Sequence, residues 1–292
     1  RVYERRGLIA PVARGANNYR LFDPGIVPAI GVFGAMLSLG LSLNEICEIF
    51  ADSAPIRRPP TADETRDSMV RAKEAYARHI AAIGGKAAFK AVQSVHAKGR
   101  LEIPAQGIAG DFGLFAARPA RLLYRAVIPG IGRIESGYDG TIGWSLSPIS
   151  GPELLTGRQL AEAADDAWFD GPLHEADHVR AAETLGKVEF DGHQAYKLRV
   201  TQMSGQDEIE YFDVESGFQL GSEASRATPQ GMVPTTNITR NYRRFGALMQ
   251  ATTFIQRALG LEQVVTIASC EYDTVTNATF DPPAEVRALV GR

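Results

Sequence analysis

The sequence predicts an α+β protein: a small helical segment, followed by a long antiparallel sheet curved strongly around helices. Three observations predict it. A charge-free run from Gly25 to Asn44 carries apolar residues at helical spacing. A second helical pattern, Arg66 to Gly85, ends on two glycines. From Ala91 to Tyr272 strand-like runs then succeed one another, separated by turn dipeptides.

Length and composition agree. The 292 residues suffice for two domains, and 45% hydrophobic with 22% charged residues is the balance of a globular chain with a real core. The net charge of -3 sets no global demand for nucleic acid, but the charge is uneven. Residues 1–60 hold seven Lys/Arg against five Asp/Glu, and the remainder holds 24 against 29. An anionic partner therefore fits the N-terminal part alone. Cys47 and Cys270 lie too far apart for a metal knuckle and are too few for a disulfide framework.

The opening stretch, "RVYERRGLIAPVARGANNYRLFD", sets Arg1, Arg5, Arg6, Arg14 and Arg20 against Glu4 and Asp23. Asp23-Pro24 starts a helix, with Asp as N-cap and Pro in the first turn. Ile26, Val27, Ile30, Phe33, Met36 and Leu37 form its buried face, and Gly40 ends it. Ser42 with Glu45 makes a capping box for the next helix, whose inner face is Ile46, Ile49 and Phe50. The charge-free run is long enough to span a bilayer. Pro28, Gly31, Gly34, Ser38, Gly40 and Ser42 dilute it, so two amphipathic helices are the preferred reading. Residues 54–65, "APIRRPPTADET", have the composition of a proline-rich linker.

The phrases "YERRGLIAP", "NNYRLFD" and "LGLSLNEI" resemble the winged-helix DNA-binding domain of the MerR family of transcription regulators over residues 1–52. The resemblance implies a homodimeric DNA-binding protein, with Arg1 and Tyr3 ending a recognition helix and Arg14, Tyr19 and Arg20 on a wing against double-stranded DNA. Val2 departs from the family's usual tyrosine, and the family's first helix and most of its recognition helix have no counterpart. On this reading about 15–25 residues are missing from the start, an estimate from typical helix lengths. Domain 1–53 is then a winged-helix remnant.

Beyond the linker, Met69, Ala72, Tyr76, Ile80 and Ile83 recur on one helical face. The strand-like runs are Ala91–Ile103, Gly110–Ala117, Arg121–Ile128, Gly132–Tyr138, Gly186–Phe190, Gln194–Thr201, Glu208–Asp213, Phe218–Ala224, Thr235–Tyr242, Met249–Ala258 and Glu262–Tyr272. Pro129-Gly130, Asp139-Gly140, Asp191-Gly192, Ser204-Gly205 and Ser216-Gly217 separate several of them as antiparallel hairpins. Residues 150–190 interrupt the series with helical character, placing Leu160, Ala164 and Trp168 on one face.

"AIGGKAAFKAVQSVHAKGRLEIPAQGI", "FDGHQAYKLRVT", "YFDVESGFQLGSE" and "DPPAEVRAL" resemble the LolA-like outer-membrane lipoprotein-sorting family, over about residues 70–290. That resemblance implies a half-open β-barrel covered by helices for domain 66–292, an apolar cavity for acyl chains, and no catalytic residue. Strand alternation gives candidate ligand-binding residues: Leu122, Tyr124 and Ile128 share one face with Ala126, and Leu101 and Ile103 share a face of another strand. The helices Met69–Ile83 and Leu155–Trp168 are expected to cover the concave side.

Other motifs carry bland readings. His174-Glu-Ala-Asp-His178 fits H-E-x-x-H literally. Asp177 puts a charge where zinc-protease helices are apolar, no third ligand is evident, and Gly171-Pro172 leaves room only for a short helix, so a solvated helix is expected and no metal. "GIGRIESG" lies between strands with no helix after it, so it is not a dinucleotide loop. Trp144 and Trp168 read as core anchors. No nucleophile–His–acid set is present, and neither an enzyme activity nor a cofactor is expected.

The resulting expectation is a cytoplasmic DNA-binding regulator whose C-terminal domain binds a hydrophobic or lipid ligand. The alternative is a periplasmic or membrane-anchored carrier of lipid or lipoprotein with no DNA binding.

Overall fold

The computed structural model describes residues 5–6, 36–37, 42–49, 62–175, 178–229 and 231–290. The chain divides into two compact units, Arg1–Arg66 and Asp67–Arg292. In the first, α1 (Leu43–Ile49) starts on the expected capping box. The Ser42 amide donates to the Glu45 carboxylate at 2.7 Å and the Glu45 amide to the Ser42 hydroxyl at 3.3 Å. The residues expected to contact DNA, Arg1, Tyr3, Arg14, Tyr19 and Arg20, lie outside the described residues.

Helix α2 (Ala62–Ala82) leads into the second unit. Gly84 and Gly85 stop it at φ of 120° and 90°, and the Gly85 amide reaches back to the Ile80 carbonyl at 2.8 Å. A Cβ on Gly84 would sit 2.6 Å from the Ala247 carbonyl oxygen, so this corner requires glycine for space as well as conformation. A short helix α3 (Lys86–Ala91) follows.

The strands come next: β1 (Ser94–Ile103), β2 (Ile108–Ala117), β3 (Arg121–Ile128), β4 (Gly132–Tyr138), β5 (Gly143–Ser147) and β6 (Gly151–Leu154). Helix α4 (Gly157–Asp166) intervenes. Then come β7 (Val179–Phe190), β8 (His193–Gln202), β9 (Asp207–Asp213), β10 (Gln219–Thr228), β11 (Gly231–Arg240), β12 (Arg243–Phe245), β13 (Leu248–Gln250), β14 (Thr253–Ala258) and β15 (Leu261–Tyr272), with a last turn of helix α5 (Ala284–Arg287). Thirteen strands form one antiparallel sheet in the order β6-β5-β4-β3-β2-β1-β15-β14-β11-β10-β9-β8-β7, and β12-β13 pair separately.

The sheet is strongly curled. Helix α4 touches β4 and β5 near one edge and also β10, seven places along from β4. In a flat sheet β4 and β10 would be about 34 Å apart at ~4.8 Å per strand. A ten-residue helix is only about 15 Å long. The sheet therefore wraps around α4, which lies on its concave face. Helix α2 covers the same face at β8 and β9, where Ala72, Ala75 and Tyr76 bury against Leu198, Val200 and Phe212.

The expected half-open barrel covered by helices is corrected by this topology. The sheet is open: β6 and β7 are its two edges and do not pair with each other. Closure needs edge strands matched in length and stagger. Here β6 has four residues and β7 twelve, and the Thr184 carbonyl of β7 accepts the Ser68 hydroxyl of α2 at 2.9 Å. Helices cover only part of the concave face.

The two rims differ. One carries the ends of β2, β4, β9 and β11 and is closed by a cluster of Ile83, Phe89, Leu173 and Leu248 with Phe169, Phe218 and Tyr272. The opposite rim, bare of any such cluster, carries the hairpin turns β1–β2, β3–β4, β5–β6, β8–β9, β10–β11 and β14–β15, and at the β8–β9 turn the Ser204 amide donates to the Asp165 carboxylate of α4 at 3.1 Å.

Candidate functional site

The register fixes which residues share the concave face. Leu101 pairs with Val265, Phe112 with Ala126, Leu114 with Tyr124, Phe254 with Val265 and Asn237 with Gln256. Further along, Ser222 pairs with Glu210, and Glu210 with Leu198. All five candidate ligand residues lie on this face. Leu101, Leu122 and Ile128 are buried in it, Leu101 and Ile128 within a cluster with Ala97, Ala126, Val265 and Ile267. Ile103 is half-buried beside them.

Tyr124 is different: 40% of it is exposed, as is 40% of Phe254. Burial nevertheless dominates the upward push on the Tyr124 phenol, with the Asp166 carboxylate second. Tyr124 thus sits in crowded surroundings on this face while part of its ring stays uncovered. Phe112, 6.2 Å from the Tyr124 ring, and Leu114 are half-buried on the same face.

Asp166, at the end of α4, meets Arg226 of β10 through both carboxylate oxygens at 3.0 and 3.1 Å. Burial raises the Asp166 pKa although nearly half its side chain is exposed, and Arg226 only partly offsets this. Glu162 of α4 accepts the Ala227 amide at 3.0 Å and Arg158 at 2.9 Å. These bonds fasten α4 to β10.

Between α4 and β8–β10 lies a cavity of about 300 Å³. Trp168, Pro172, Val179 and Met203 give it apolar wall, and Asp166, Gln202, His174 and Glu210 polar wall. Val179, Gln202 and Met203 sit at the bare rim, so one end of the cavity lies there.

Beneath it is a buried polar cluster. Glu210 accepts from His174 Nε2 at 3.1 Å, Tyr76 Oη at 3.2 Å and Gln219 Nε2 at 3.4 Å. Burial alone disfavours the His174 imidazolium most strongly, but the Glu210 carboxylate outweighs it and holds the pKa above the usual value. For Glu210 the cost of burial is likewise outweighed, chiefly by His174, and its pKa is lowered. Next to it, burial and the Glu210 charge raise Glu208. His79, buried with its Nδ1 3.1 Å from the Gly217 carbonyl, is lowered to about 4 by burial and then by His174.

The H-E-x-x-H residues are drawn apart. His174 caps a 3-10 turn at φ 46° and stacks on Tyr76 at 3.9 Å, whereas His178 stacks on Trp168 at 3.5 Å. Glu175 is held by Lys86 at 2.6 Å and Lys90 at 2.8 Å. Among the described residues no group of three His, Cys, Asp or Glu is arranged around a common metal position.

Sequence reasoning missed Arg226, Glu208 and Glu210. In "DEIEYFD" the glutamates alternate with Ile209 and Tyr211, which reads as glutamates outward. The structure turns the glutamate face to the concave side. The legible signal was His174, which the turn at Gly171–Leu173 delivers to Glu210.

No family model matches the chain, and no curated protein matches it. Among solved structures it is similar to a DUF1329 family protein from Desulfovibrio piger: 13% identity, 73% of this chain, 98% of that one, TM-score 0.49. It is also similar to a domain from Vibrio parahaemolyticus whose description assigns it to outer membrane lipoprotein sorting, at 13% identity over 73% of this chain and 97% of that one, TM-score 0.47. A LolA superfamily protein from Nitrosomonas europaea is 14% identical over 75% of this chain and 97% of that one, TM-score 0.46. At such identities and scores these likenesses define no ligand, partner or activity for this chain. The cytoplasmic placement is corrected all the same. It rested wholly on the DNA-binding reading, and no family model or curated protein carries that reading to this chain.

Proposed function

We propose that residues 67–292 form a carrier for an amphiphile of the lipid or lipoprotein class, working in the cell envelope and performing no chemistry on its cargo. The observation that carries this reading is the uncovered apolar surface inside the curl. Tyr124 and Phe254 stand open on the concave face, flanked by half-buried Phe112 and Leu114. A fully packed apolar core would leave no such side chains uncovered on this face. The cavity of about 300 Å³ is at the small end of the range for ligand clefts, roughly 300–1,000 Å³, and accepts a short acyl chain or part of a longer one. Asp166, Arg226 and Gln202 supply the polar groups that would orient a head group or linker.

Titration of the full chain with a fluorescent fatty acid, followed by displacement with unlabelled fatty acid, tests the reading. Saturable, displaceable binding is expected. Tyr124→Asp with Phe254→Asp should weaken it about tenfold or more, since each aspartate removes apolar contact and adds a charge to be desolvated. Binding that is unsaturable, or unmoved by the double variant, rejects it.

A further inference from the structure

We propose that the bare rim of the sheet is a membrane-docking edge, its separate hairpin tips entering the apolar boundary of a lipid bilayer. Ile149 at the β5–β6 turn is 88% exposed and Leu259 at the β14–β15 turn 80%. Leu261 beside that turn, Met203 at the β8–β9 turn and Met232 just after the β10–β11 turn are exposed as well. All belong to one rim. The hairpin turns of the opposite rim, at residues 118–120, 139–142, 191–192 and 214–218, show no exposed large hydrophobic. Arg, Pro, Asp, Gly, Thr, Glu and Ser dominate them instead.

A random scatter of surface apolar residues would not sort by rim. Nor does hairpin chemistry require it. Leu259 occupies a left-handed position at φ 52°, where Asn, Asp or Gly is the ordinary choice. A leucine there carries both conformational strain and exposure.

The arrangement favours a lipid surface over a protein partner. A protein interface needs one continuous complementary patch with an apolar centre. Here the apolar side chains sit on different hairpins around the end of a curled sheet, one or two per tip. Such tips insert singly into an interface that closes around each of them. Charge at the rim is mixed and largely paired. Arg257 meets Glu262 at 2.8 Å, Glu102 meets Arg100 at 3.2 Å, Arg133 lies 3.8 Å from Glu285, and Arg180 donates to the Met203 carbonyl at 3.2 Å, with Asp207 exposed at the start of β9.

One end of the cavity lies at this rim, since Met203 belongs to both. Docked by its tips, the protein would hold that end of the cavity against the bilayer, and an acyl chain would pass between the two without crossing water. This step rests on the carrier reading; the docking itself does not.

The test uses the full chain and vesicles of phosphatidylethanolamine and phosphatidylglycerol with brominated acyl chains. Single tryptophan reporters are placed by Ile149→Trp, Leu259→Trp and, on the opposite rim, Thr141→Trp. Native Trp144 is fully buried, and any quenching of Trp168, which lines the cavity, is subtracted by measuring the parent protein in the same vesicles. Bromine quenching is expected at positions 149 and 259 and not at 141. The double variant Ile149→Asn, Leu259→Asn should lower the vesicle-bound fraction about tenfold, by removing two inserted apolar side chains, with fatty-acid displacement in solution unchanged. Equal or absent quenching at the three positions, or vesicle binding unaltered in the double variant, overturns the proposal, including the case where another segment of the chain holds the membrane. Loss of displacement in the parent with tip quenching retained would reject the carrier and leave the docking edge standing.

Discussion

Replacing His79 by asparagine should flatten the acid limb of the stability curve. His79 is buried between α2 and β9, edge-on to Phe212 at 5.1 Å and to His174 at 6.4 Å. Its pKa falls from 6.5 to about 4. The folded state therefore binds this proton less readily than the unfolded chain, and the unfolded chain gains it first on acidification. The contribution is fully present above pH 6.5 and is lost as the pH falls towards 4. At ~1.36 kcal/mol per pKa unit, the loss between pH 7 and pH 4.5 is about 2.5 kcal/mol. Asparagine keeps a donor near Nδ1 for the Gly217 carbonyl but cannot titrate. His174 and Glu210 remain in both proteins and cancel to first order in the comparison. Urea unfolding followed by far-UV circular dichroism at pH 7 and pH 4.5 gives the two differences. The parent should lose about 2.5 kcal/mol more than the variant. Parallel losses, within roughly 0.5 kcal/mol on the scale of ordinary surface substitutions, would refute the burial argument.

Two further perturbations probe the scaffold. Glu210→Ala strands the Tyr76 hydroxyl and the His174 ring nitrogen in the buried cluster, and unfolding at pH 7 should show a loss of about 2–5 kcal/mol. Gly137→Ala would put a Cβ 2.3 Å from Cζ2 of the fully buried Trp144, and calorimetry should show it destabilised by roughly 1–3 kcal/mol or more, against near-neutrality for Gly171→Ala, where the backbone is not left-handed and a Cβ meets nothing within 4 Å.

Much of the local structure was legible. Arg121–Ile128 and Gly132–Tyr138 are read residue for residue, because alternation and the Pro129-Gly130 turn bound them on both sides. The dipeptide turns fall where expected, each glycine at positive φ: Gly130, Gly140, Gly192, Gly205 and Gly217. Strands β5 and β6 were not legible, being short and carrying Gly and Pro. The first half of β7, "VRAAETL", is rich in helix formers, and its pairing with β8 overrides that propensity. The run Met249–Ala258 breaks at Ala251-Thr252, where β13 leaves the main sheet for its separate pairing with β12.

The site was less legible than the strands. Alternation identifies the two faces of β3 but cannot say that Leu122 packs while Tyr124 stays open, since that depends on α4 arriving from another part of the chain. The Asp166–Arg226 and Glu210–His174 pairs join residues 60 and 36 positions apart, and no local pattern announces them. The open sheet is likewise a long-range outcome, set by the unequal edges β6 and β7.

Native mass spectrometry of the full chain, purified without detergent, tests the central claim most directly. The account predicts a population carrying one amphiphile per chain, released on partial unfolding and absent from the Tyr124→Asp, Phe254→Asp variant. A bare chain in every preparation, remaining bare after incubation with excess fatty acid or phospholipid, would mean that the concave face of the sheet carries no cargo.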